Sequence, residues 1–228
     1  MTKELNYRFE LKHKIMNIDA LTMKSRISGI VKKDKNCEDG EYLIRSLYFD
    51  TPEDKALLDK INGIAYREKF RIRFYNHDTS FIRLEKKLKQ NSMTAKLSAP
   101  LTKGEVNKII NNDIDFLKES SNSLLREFYI KLKCERLLPK SIVDYKREAF
   151  VFPLGNVRIT IDSEIKTSIN SCELFNPKLP MVEILESNMS VLEIKYDEFI
   201  PDFILDLVQI NKCSATAVSK YATSRQYM

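Results

Sequence analysis

The chain has 228 residues, of which 43% are hydrophobic and 31% are charged. Such a composition supplies enough apolar surface for a core and excludes an intrinsically disordered chain. The length fits one large domain or two small ones, and we expect a single domain over 1–228. A formal net charge of +6 favours a polyanionic partner such as phosphate chains, nucleic acid or an anionic membrane surface.

The cysteines and histidines are too dispersed for the usual metal, redox or nucleophile motifs. His13 and His77 are isolated, and no CxxC pair occurs. Zinc sites and histidine-dependent nucleophilic chemistry therefore have no support. The N-terminus lacks an apolar signal stretch and no window is long enough to span a bilayer, so we expect a cytoplasmic protein with reduced thiols. The four cysteines are Cys37, Cys134, Cys172 and Cys213.

Turn and capping signals divide the chain into short elements without a repeat or linker. Asn17 is a candidate N-cap, and Thr51 followed by Pro52 has the residue types of a second helix start. Thr102 and Glu105 have the spacing of a capping box. The predicted elements are strands over 7–15, 44–50, 65–75, 81–88, 140–152, 157–165, 177–186 and 191–196, and helices over 17–32, 51–62, 102–110, 121–133 and 201–211.

The apolar positions of three predicted helices indicate the faces that pack inward. Their spacing near 3.6 residues is typical of amphipathic helices that cover a core. In chain order these positions are Ile18, Leu21, Ile27, Ile30 and Val31, then Leu57, Leu58 and Ile61, then Leu124, Leu125, Phe128, Tyr129 and Leu132.

The most informative stretch runs over 65–96 and alternates with the two-residue period of a strand. On one face of its first strand lie Arg67, Lys69, Arg71 and Arg73, and on the other lie Tyr66, Phe70, Ile72 and Phe74. In the next strand Arg83, Glu85 and Lys87 alternate with Ile82, Leu84 and Leu88. We therefore predict a hairpin with a basic face and an apolar face.

The same alternation recurs over 7–12, 157–162 and 192–196. The solvent-facing side of an ordinary strand mixes Thr, Ser, Gln and Lys, whereas Arg, Lys and Glu dominate here. A solvated structural face remains the alternative. We favour convergence on an anion, because like charges opposite each other destabilise a sheet unless a ligand compensates them. The polar positions are Arg8, Glu10, Lys12, Arg158, Thr160, Asp162, Glu193 and Lys195.

About eight antiparallel strands with a few helices predict an α+β fold in which a β-barrel closes around a charged tunnel with helices outside. Clustered cations inside such a tunnel repel one another and need counter-charge. Phosphate oxygens supply it, since Arg offers forked donors and Lys a point charge. Carboxylates on the same faces are candidate ligands of a divalent cation that bridges phosphate oxygens: Glu10, Glu85, Asp162 and Glu193.

Eight segments in this order resemble the VTC domain, the polyphosphate polymerase domain of the vacuolar transporter chaperone, within the triphosphate tunnel metalloenzyme superfamily. The resemblance covers nearly the whole chain, and it is specific because of the order of the motifs. The segments are YRFELK (7–12), SLYFDTP (46–52), REKFRIRFY (67–75), RLEKKL (83–88), YKREAF (145–150), VRITID (157–162), LEIKYDEFIP (192–201) and SKY (219–221).

The resemblance implies roles for five matching residues. Arg71 and Arg73 match the RxR strand of the family, which contacts phosphate. Arg147 matches the arginine of its YxR strand, and Arg158 the arginine before its TID motif. Glu193 matches the glutamate of LExK and is the best candidate metal ligand.

Lysines complete the implied phosphate-binding set. Lys87 matches the lysine of the ExK strand, Lys96 a lysine on the following segment, and Lys220 the lysine of SKY near the tunnel mouth. Asp162 is either a metal ligand or the orienting partner of an arginine. Strand parity points a second group inward, for which packing or ion pairing is an equal explanation: Glu10, Lys12, Lys69, Glu85, Tyr145 and Lys195.

The implied reaction transfers the γ-phosphoryl group of ATP to a growing polyphosphate and releases ADP. The implied cofactor is a divalent metal, usually manganese, with magnesium as the other candidate. Phosphoryl transfer depends mainly on positioning and charge neutralisation. The candidate catalytic residues are therefore Arg71, Arg73, Lys87, Arg147 and Arg158.

Two other functions stay open on the same tunnel. A metal-dependent triphosphatase needs the same wall but uses water as the acceptor. A non-catalytic module that binds polyphosphate or nucleic acid is the second alternative. RNA binding is disfavoured, because the aromatic positions alternate opposite the cations and are expected to face the core. A membrane-protein partner is a further candidate, since full-length fungal relatives work in membrane complexes, but resemblance to the lone domain does not establish it.

Overall fold

The computed structural model describes residues 5–37, 40–208 and 218–227. Its helices are α1 (Asn17–Ser28), α2 (Lys55–Ile61), α3 (Lys103–Ile110), α4 (Ser123–Cys134), α5 (Asp202–Val208) and α6 (Lys220–Ser224). Its strands are β1 (Arg8–Met16), β2 (Lys32–Lys33), β3 (Tyr42–Asp50), β4 (Tyr66–Tyr75), β5 (Asp78–Gln90), β6 (Met93–Leu101), β7 (Leu138–Phe152), β8 (Val157–Ser168), β9 (Met181–Glu183) and β10 (Met189–Tyr196).

Eight antiparallel strands close into a ring in the order β7, β3, β4, β5, β6, β1, β10 and β8, because β7 also pairs with β8. β2 adds to β7, and β9 adds to β8. The predicted hairpin is present, with Arg71 opposite Glu85 and Arg73 opposite Arg83. The predicted α+β class, with a closed antiparallel sheet and helices outside it, is therefore confirmed.

The outward faces of β3, β4 and β5 pack against α3 and α4. The ring of Phe128 in α4 lies 5.2 Å from that of Phe49 and 5.3 Å from that of Phe70, measured between centroids. Ile72 and Leu84 are fully buried in the same cluster. Each such side chain contributes roughly 1.5–3 kcal/mol through burial, so the apolar face of the hairpin is core, as predicted.

A second apolar cluster lies on the opposite side of the ring. Met23 and Ile27 of α1 and Ile204 of α5 pack there against the outward face of the sheet, which includes Ile159 of β8 and Ile194 of β10. Helices thus cover the outward faces in two places. The inward faces are left for polar side chains.

Two helix starts follow local rules that the sequence predicts. Thr102 Oγ1 accepts from the Glu105 amide at 3.2 Å, and Glu105 Oε2 accepts from the Thr102 amide at 2.7 Å, which completes the predicted capping box. Asn122 Oδ1 accepts from the Leu124 amide at 3.0 Å and starts α4. Leu124 and Phe128 of α4 are buried, so the predicted apolar stripe is confirmed there.

The predicted N-cap at Asn17 is wrong, because Asn17 is the first residue of α1 itself. Its Oδ1 accepts from Ser190 Oγ at 2.6 Å, which joins the helix to β10. The helix also ends at Ser28, before the predicted boundary at 32. The buried face includes Ala20 and Met23, which the apolar spacing did not select. Of the predicted inward positions, Ile27 and Val31 are buried, whereas Ile18, Leu21 and Ile30 are exposed.

The second helix begins at Lys55 rather than at Thr51, because its cap comes from the end of β3. One carboxylate oxygen of Asp50 accepts from the Ala56 amide at 2.8 Å, and the other accepts from the Leu57 amide at 3.1 Å. The last residue of the strand thereby fixes the helix across the ring end. Of its predicted inward positions, Leu57 is half-buried, whereas Leu58 and Ile61 are exposed.

Strand β6 had no sequence signal. The polar stretch over 90–99 predicts no regular element, yet Met93–Leu101 forms β6 and pairs with β5 along its length. Backbone pairing with an existing strand edge determines it, since its side chains are mixed in character. The last predicted helix corresponds to α5, and 209–211 and Cys213 lie outside the described residues.

Candidate active site

The inward faces of the ring enclose a cavity of about 1330 Å³. Because side chains alternate along a strand, Arg71 and Arg73 of β4 and Lys87 of β5 line this cavity, on the side opposite the core. Among the described residues, fifteen lysine and arginine side chains line it, against five carboxylates. The charged faces of these strands therefore point inward, as predicted.

Strands β3 and β7 contribute apolar and tyrosine side chains to the inward face. Tyr48 and Tyr145 line the cavity, and Ile44 and Val143 are fully buried in the same cluster. Tyr48 also stacks on Tyr221 of α6, with 5.2 Å between ring centroids. The expectation of a charged interior thus holds for only part of the wall, since the part beneath α6 is a small apolar core.

Glu85 gathers three cations of the predicted site. Its Oε2 accepts from Arg71 Nε at 2.8 Å and lies 3.6 Å from Arg73 Nη1, and its Oε1 accepts from Lys96 Nζ at 2.8 Å. Arg73 also donates to Tyr145 Oη at 2.7 Å. Burial disfavours the charged carboxylate, but the surrounding cations outweigh it and hold the pKa of Glu85 well below its usual range. Glu85 lies behind the cavity wall and orients the guanidinium groups that form it.

Asp162 plays the corresponding part for Arg147 and Lys220. Arg147 Nε and Nη2 donate to its two oxygens at 2.6 and 2.7 Å, and Lys220 Nζ donates to Oδ2 at 2.5 Å. Asp162 is fully buried. Burial disfavours its charged form, but Arg147 and Lys220 outweigh that effect and lower its pKa to about 2. Both oxygens are thus committed to cations, which is the orienting role left open by the sequence.

Arg158 is held by a residue that the sequence did not indicate. It pairs with Asp34, in the polar segment after β2, and it donates to Tyr42 Oη at 3.2 Å. Burial disfavours the charged form of Asp34, but the amide of Asn36 and the guanidinium of Arg158 outweigh it and lower its pKa. Polar segments are common in surface loops, so no sequence signal distinguishes this aspartate.

Glu10 and Glu193 form a second kind of arrangement with lysines. Lys12 Nζ lies 2.9 Å from Glu10 Oε1 and 2.9 Å from Glu193 Oε2. Lys87 Nζ lies 2.6 Å from Glu10 Oε2, and Lys195 Nζ lies 2.6 Å from Glu193 Oε1. The register of β1 against β10 places Lys12 opposite Glu193 and Glu10 opposite Lys195, so the charges alternate in both directions.

The lysines keep both carboxylates ionised. Burial and the mutual repulsion of Glu10 and Glu193 favour protonation, but Lys12, Lys87 and Lys195 outweigh these effects and lower the pKa of Glu10. The pKa of Glu193 is likewise held well below its usual range. Burial disfavours the charged ammonium of Lys12, yet the two carboxylates raise its pKa.

Glu10 and Glu193 are the carboxylates that fit a divalent cation. Both line the cavity, and one ammonium contacts an oxygen of each, so their oxygens lie around a common point. Carboxylate oxygens are ligands that hard divalent cations prefer, and such ions keep water and phosphate oxygens as well. In the described part of the chain no three His, Cys, Asp or Glu side chains group as a metal site. Glu10 and Glu193 would therefore be the protein ligands of such an ion.

Tyr48 is a lining residue that the sequence analysis did not select. Arg71 Nη1 donates to its hydroxyl at 3.2 Å, and Lys69 Nζ lies 5.6 Å from the centre of its ring. Burial raises the phenol pKa, but the cations Arg71, Lys69 and Arg73 outweigh it, so the pKa of Tyr48 is lowered to about 7. Burial lowers the pKa of Lys69 to about 8, although Tyr48 opposes the shift. The sequence contained one signal for Tyr48, since its position in the two-residue alternation of SLYFDTP directs its side chain inward.

The cavity is basic at the end of the ring next to α2. Lys60 of α2 lines it together with Arg67 and Lys89, from the adjacent ends of β4 and β5. Burial and these two neighbouring cations lower the pKa of Lys60. Positive charge therefore continues from the centre of the cavity to this end.

The structure brings the predicted site residues to this cavity with two exceptions. Glu85 and Asp162 lie behind the lining, where they bind arginines. The predicted residues that line the cavity are Glu10, Lys12, Lys69, Arg71, Arg73, Lys87, Lys96, Tyr145, Arg147, Arg158, Glu193, Lys195 and Lys220. Their individual roles in binding and catalysis stay predictions.

Several solved structures are similar to this chain. HpAC1 from Hippeastrum, described as a putative adenylyl cyclase with a dominant triphosphatase activity, is 14% identical with a TM-score of 0.56, over 96% of this chain and 95% of that chain. A putative adenylate cyclase from Bacillus halodurans is 14% identical with a TM-score of 0.48, over 83% and 81% of the two chains. PH1012 from Pyrococcus horikoshii is 14% identical with a TM-score of 0.44, over 88% and 85%. At this identity the HpAC1 match shows the fold alone.

Sequence comparison identifies the family. None of the curated proteins compared with the chain matches it. Among the described residues, no helix has both the length and the apolar character needed to cross a membrane. The cytoplasmic location expected from the sequence stays a prediction. The family model of the VTC domain matches residues 7–228, and the chain therefore belongs to the VTC domain family, with the triphosphate tunnel fold.

Proposed function

We propose that this protein is a metal-dependent polyphosphate polymerase, which transfers the γ-phosphoryl group of ATP to the end of a phosphate chain inside the ring. The observation that carries the proposal is the excess of cationic side chains around one cavity, where fifteen of the described side chains are cationic and five are anionic. Like charges taken partly out of water repel one another, and a bound polyanion relieves that cost. Membership of the VTC domain family supports the same substrate class.

The arginines have the geometry to hold phosphoryl groups in place. Glu85 and Asp162 fix the guanidinium groups of Arg71, Arg73 and Arg147, so little side-chain entropy is lost when they bind phosphate oxygens. Groups fixed in advance act most strongly on the charge that develops in the transition state. Positioning is also the main requirement of phosphoryl transfer, which needs no protein nucleophile.

The lysines around Glu10 and Glu193 provide a different contribution. Glu10 and Glu193 would hold a divalent cation, which would supply positive charge against the phosphates, and manganese is the proposed metal. Lys12, Lys87 and Lys195 lie against the same carboxylates, and they offer point charges to phosphate oxygens that enter the cavity. The basic end around Lys60 and Arg67 provides further contacts for a chain longer than a triphosphate.

Hydrolysis of a triphosphate is the second candidate function, and the Tyr48–Lys69 pair favours it. An attacking water must lose a proton, whereas a terminal phosphate is already largely ionised near neutral pH. Tyr48 has a pKa lowered to about 7, and its phenolate would accept that proton at the cavity wall. A triphosphatase therefore has a use for Tyr48 that a polymerase lacks.

Products distinguish the two reactions. The purified protein is incubated with ATP and Mn²⁺, with and without a short polyphosphate primer, while ADP, free phosphate and chain length are followed. Metal-dependent chains longer than the primer would establish the polymerase, and phosphate without chains would establish the triphosphatase. Phosphate binding without either product, unaffected by EDTA, would overturn both and leave a binding module. Glu193→Ala serves as the variant expected to lose the metal-dependent product, and Lys146→Ala, on the outer surface, serves as its control.

A further inference from the structure

Three aromatic side chains line the cavity at the end of the ring opposite α2. Tyr42 comes from β3, Tyr75 from β4 and Phe81 from β5, and these three strands are neighbours. Tyr75 follows Arg73 at the two-residue period, so it continues the cationic face of β4. This is an exception to the expected alternation, in which aromatics and cations take opposite faces.

The three rings form a continuous row. The ring centroids of Tyr42 and Tyr75 lie 5.8 Å apart, and those of Tyr75 and Phe81 lie 6.2 Å apart. Phe81, at the outer end of the row, is 49% exposed, whereas Tyr42, at the inner end, is buried. The row therefore leads from solvent towards the interior of the cavity. We call Tyr42, Tyr75 and Phe81 the aromatic row.

The inner end of the aromatic row joins the phosphate-binding wall. Arg158 Nη2 donates to Tyr42 Oη at 3.2 Å. Along β4, Tyr75 and Arg73 are two residues apart, which is about 7 Å in an extended strand. That separation is comparable to the span between a nucleobase and the first phosphate of a nucleotide that extends along the wall.

Core packing accounts for the inner end of the aromatic row, because Tyr42 is buried in the apolar cluster beneath α6 and Tyr75 packs against that cluster, but it does not account for Phe81. On the same strands, Phe70 and Phe74 lie on the outward face and are fully buried in the core. Phe81 instead exposes about half of its surface at the cavity, with the guanidinium of Arg83 4.6 Å from its ring centroid. An exposed aromatic beside a cation is the arrangement used to stack nucleobases.

We propose that the aromatic row binds the base of a nucleoside triphosphate, while the phosphates lie among the arginines of the cavity. The proposal rests on the proposed function and adds a subsite for the nucleoside, which a bare phosphate chain does not fill. Every nucleobase has a π-face, so stacking of this kind distinguishes nucleotides from inorganic phosphates better than it distinguishes one base from another.

Binding to ATP and to inorganic tripolyphosphate tests the subsite, because both carry three phosphates and only ATP carries a base. Dissociation constants are measured by calorimetry in EDTA, so that metal-dependent turnover does not interfere. Phe81→Ala should weaken ATP binding about 5- to 20-fold and change tripolyphosphate binding less than twofold, since base–aromatic stacking has this order of effect. Phe81→Trp retains a ring and should bind ATP as the wild type does.

Tyr66→Ala is the matched control. Tyr66 lies on the same strand as Tyr75, is 59% exposed, and does not line the cavity. It should leave both ligands unaffected. Normal tripolyphosphate binding by Phe81→Ala shows that this variant is folded. GTP should bind the wild type within a few-fold of ATP.

Two outcomes would overturn the inference while the proposed function stands. In one, Phe81→Ala leaves the dissociation constant of ATP unchanged. In the other, it weakens ATP and tripolyphosphate equally, which would make Phe81 a support of the phosphate wall. If the wild type binds neither ligand, in EDTA or with added Mn²⁺, the cavity is no phosphate site, and the proposed function fails together with the subsite.

Discussion

The four carboxylates predicted on the inward faces fall into two pairs with different surroundings. Glu85 and Asp162 are bound by arginines and lie behind the cavity wall. Glu10 and Glu193 are bound by lysines and line the cavity. Strand parity is the same for all four, so depth and partner type separate them.

The partner type matters because a guanidinium and an ammonium bind differently. Arg147 takes both oxygens of Asp162 in a fork, which leaves that carboxylate little freedom to bind anything else. Lys12 is a point charge on a flexible stem, so another cation can replace it beside Glu10 and Glu193. The first pair therefore serves to fix arginines, and the second can exchange its partner for a metal ion.

The largest effect should follow removal of a carboxylate behind the wall. Asp162→Ala leaves Arg147 and Lys220 without their shared counter-charge, and breaking a buried ion pair costs about 3–5 kcal/mol. The free energy of unfolding, from urea denaturation monitored by circular dichroism, should fall by that amount. Glu41→Ala removes an exposed carboxylate that pairs with Lys146, and it should cost less than about 1 kcal/mol. Equal losses would contradict the distinction between the pairs.

The second-largest effect should be on the rate of phosphoryl transfer, after removal of an arginine that Glu85 orients. Arg73→Ala should lower kcat/KM for ATP roughly 30- to 1000-fold, which corresponds to about 2–4 kcal/mol of lost transition-state stabilisation. Deletion of other electrostatic donors has effects of this size. Steady-state kinetics with saturating Mn²⁺ measures this, and Lys146→Ala should remain within twofold of the wild type. An unchanged rate in Arg73→Ala or Arg71→Ala would refute the proposed mechanism.

The metal requirement should also differ between the two pairs of carboxylates. Glu193→Gln should raise the Mn²⁺ concentration needed for half-maximal activity about 10- to 100-fold, because it removes a proposed ligand. Glu85→Gln should lower the maximal rate but leave that concentration within about threefold of wild type, because Glu85 acts through arginines. A metal titration of activity gives both values. A similar shift in both variants would show that the two pairs are equivalent.

The smallest predicted effect is the dependence of hydrolysis on pH. The carboxylates stay ionised, so Tyr48 is the anion whose charge changes with pH. Hydrolysis should increase as pH rises through about 7, where Tyr48 becomes a phenolate, and decrease above about 8, where Lys69 loses its charge. The pH profile of kcat/KM with tripolyphosphate measures both limbs. Tyr48→Phe should abolish the rising limb, whereas Tyr66→Phe should preserve it. A rising limb that persists in Tyr48→Phe would exclude Tyr48 as the proton acceptor.

The sequence was sufficient to predict the inward faces and the closure of the sheet. Alternation placed Arg71, Arg73 and Lys87 on one surface, because a strand has a strict two-residue period. Alternation could not distinguish Glu85, which lies behind the cavity wall, from Glu193, which lines the cavity. The depth of each carboxylate depends on which cations the neighbouring strands supply.

Other features had weak signals or none. Asp34 belongs to a polar loop, and β6 is set by pairing with β5 rather than by its own composition. The cap of α2 comes from the preceding strand through Asp50, outside the positions that helix-start rules consider. These features depend on tertiary contacts, which local periodicity does not encode.

The lysine that contacts both Glu10 and Glu193 has a consequence for the biogenesis of the protein. With these internal ion pairs in place, the strands of the ring can come together during folding before any phosphate is present. The chain therefore supplies part of its own neutralising charge. A phosphate ligand that enters later takes the place of these carboxylates as the partner of the lysine.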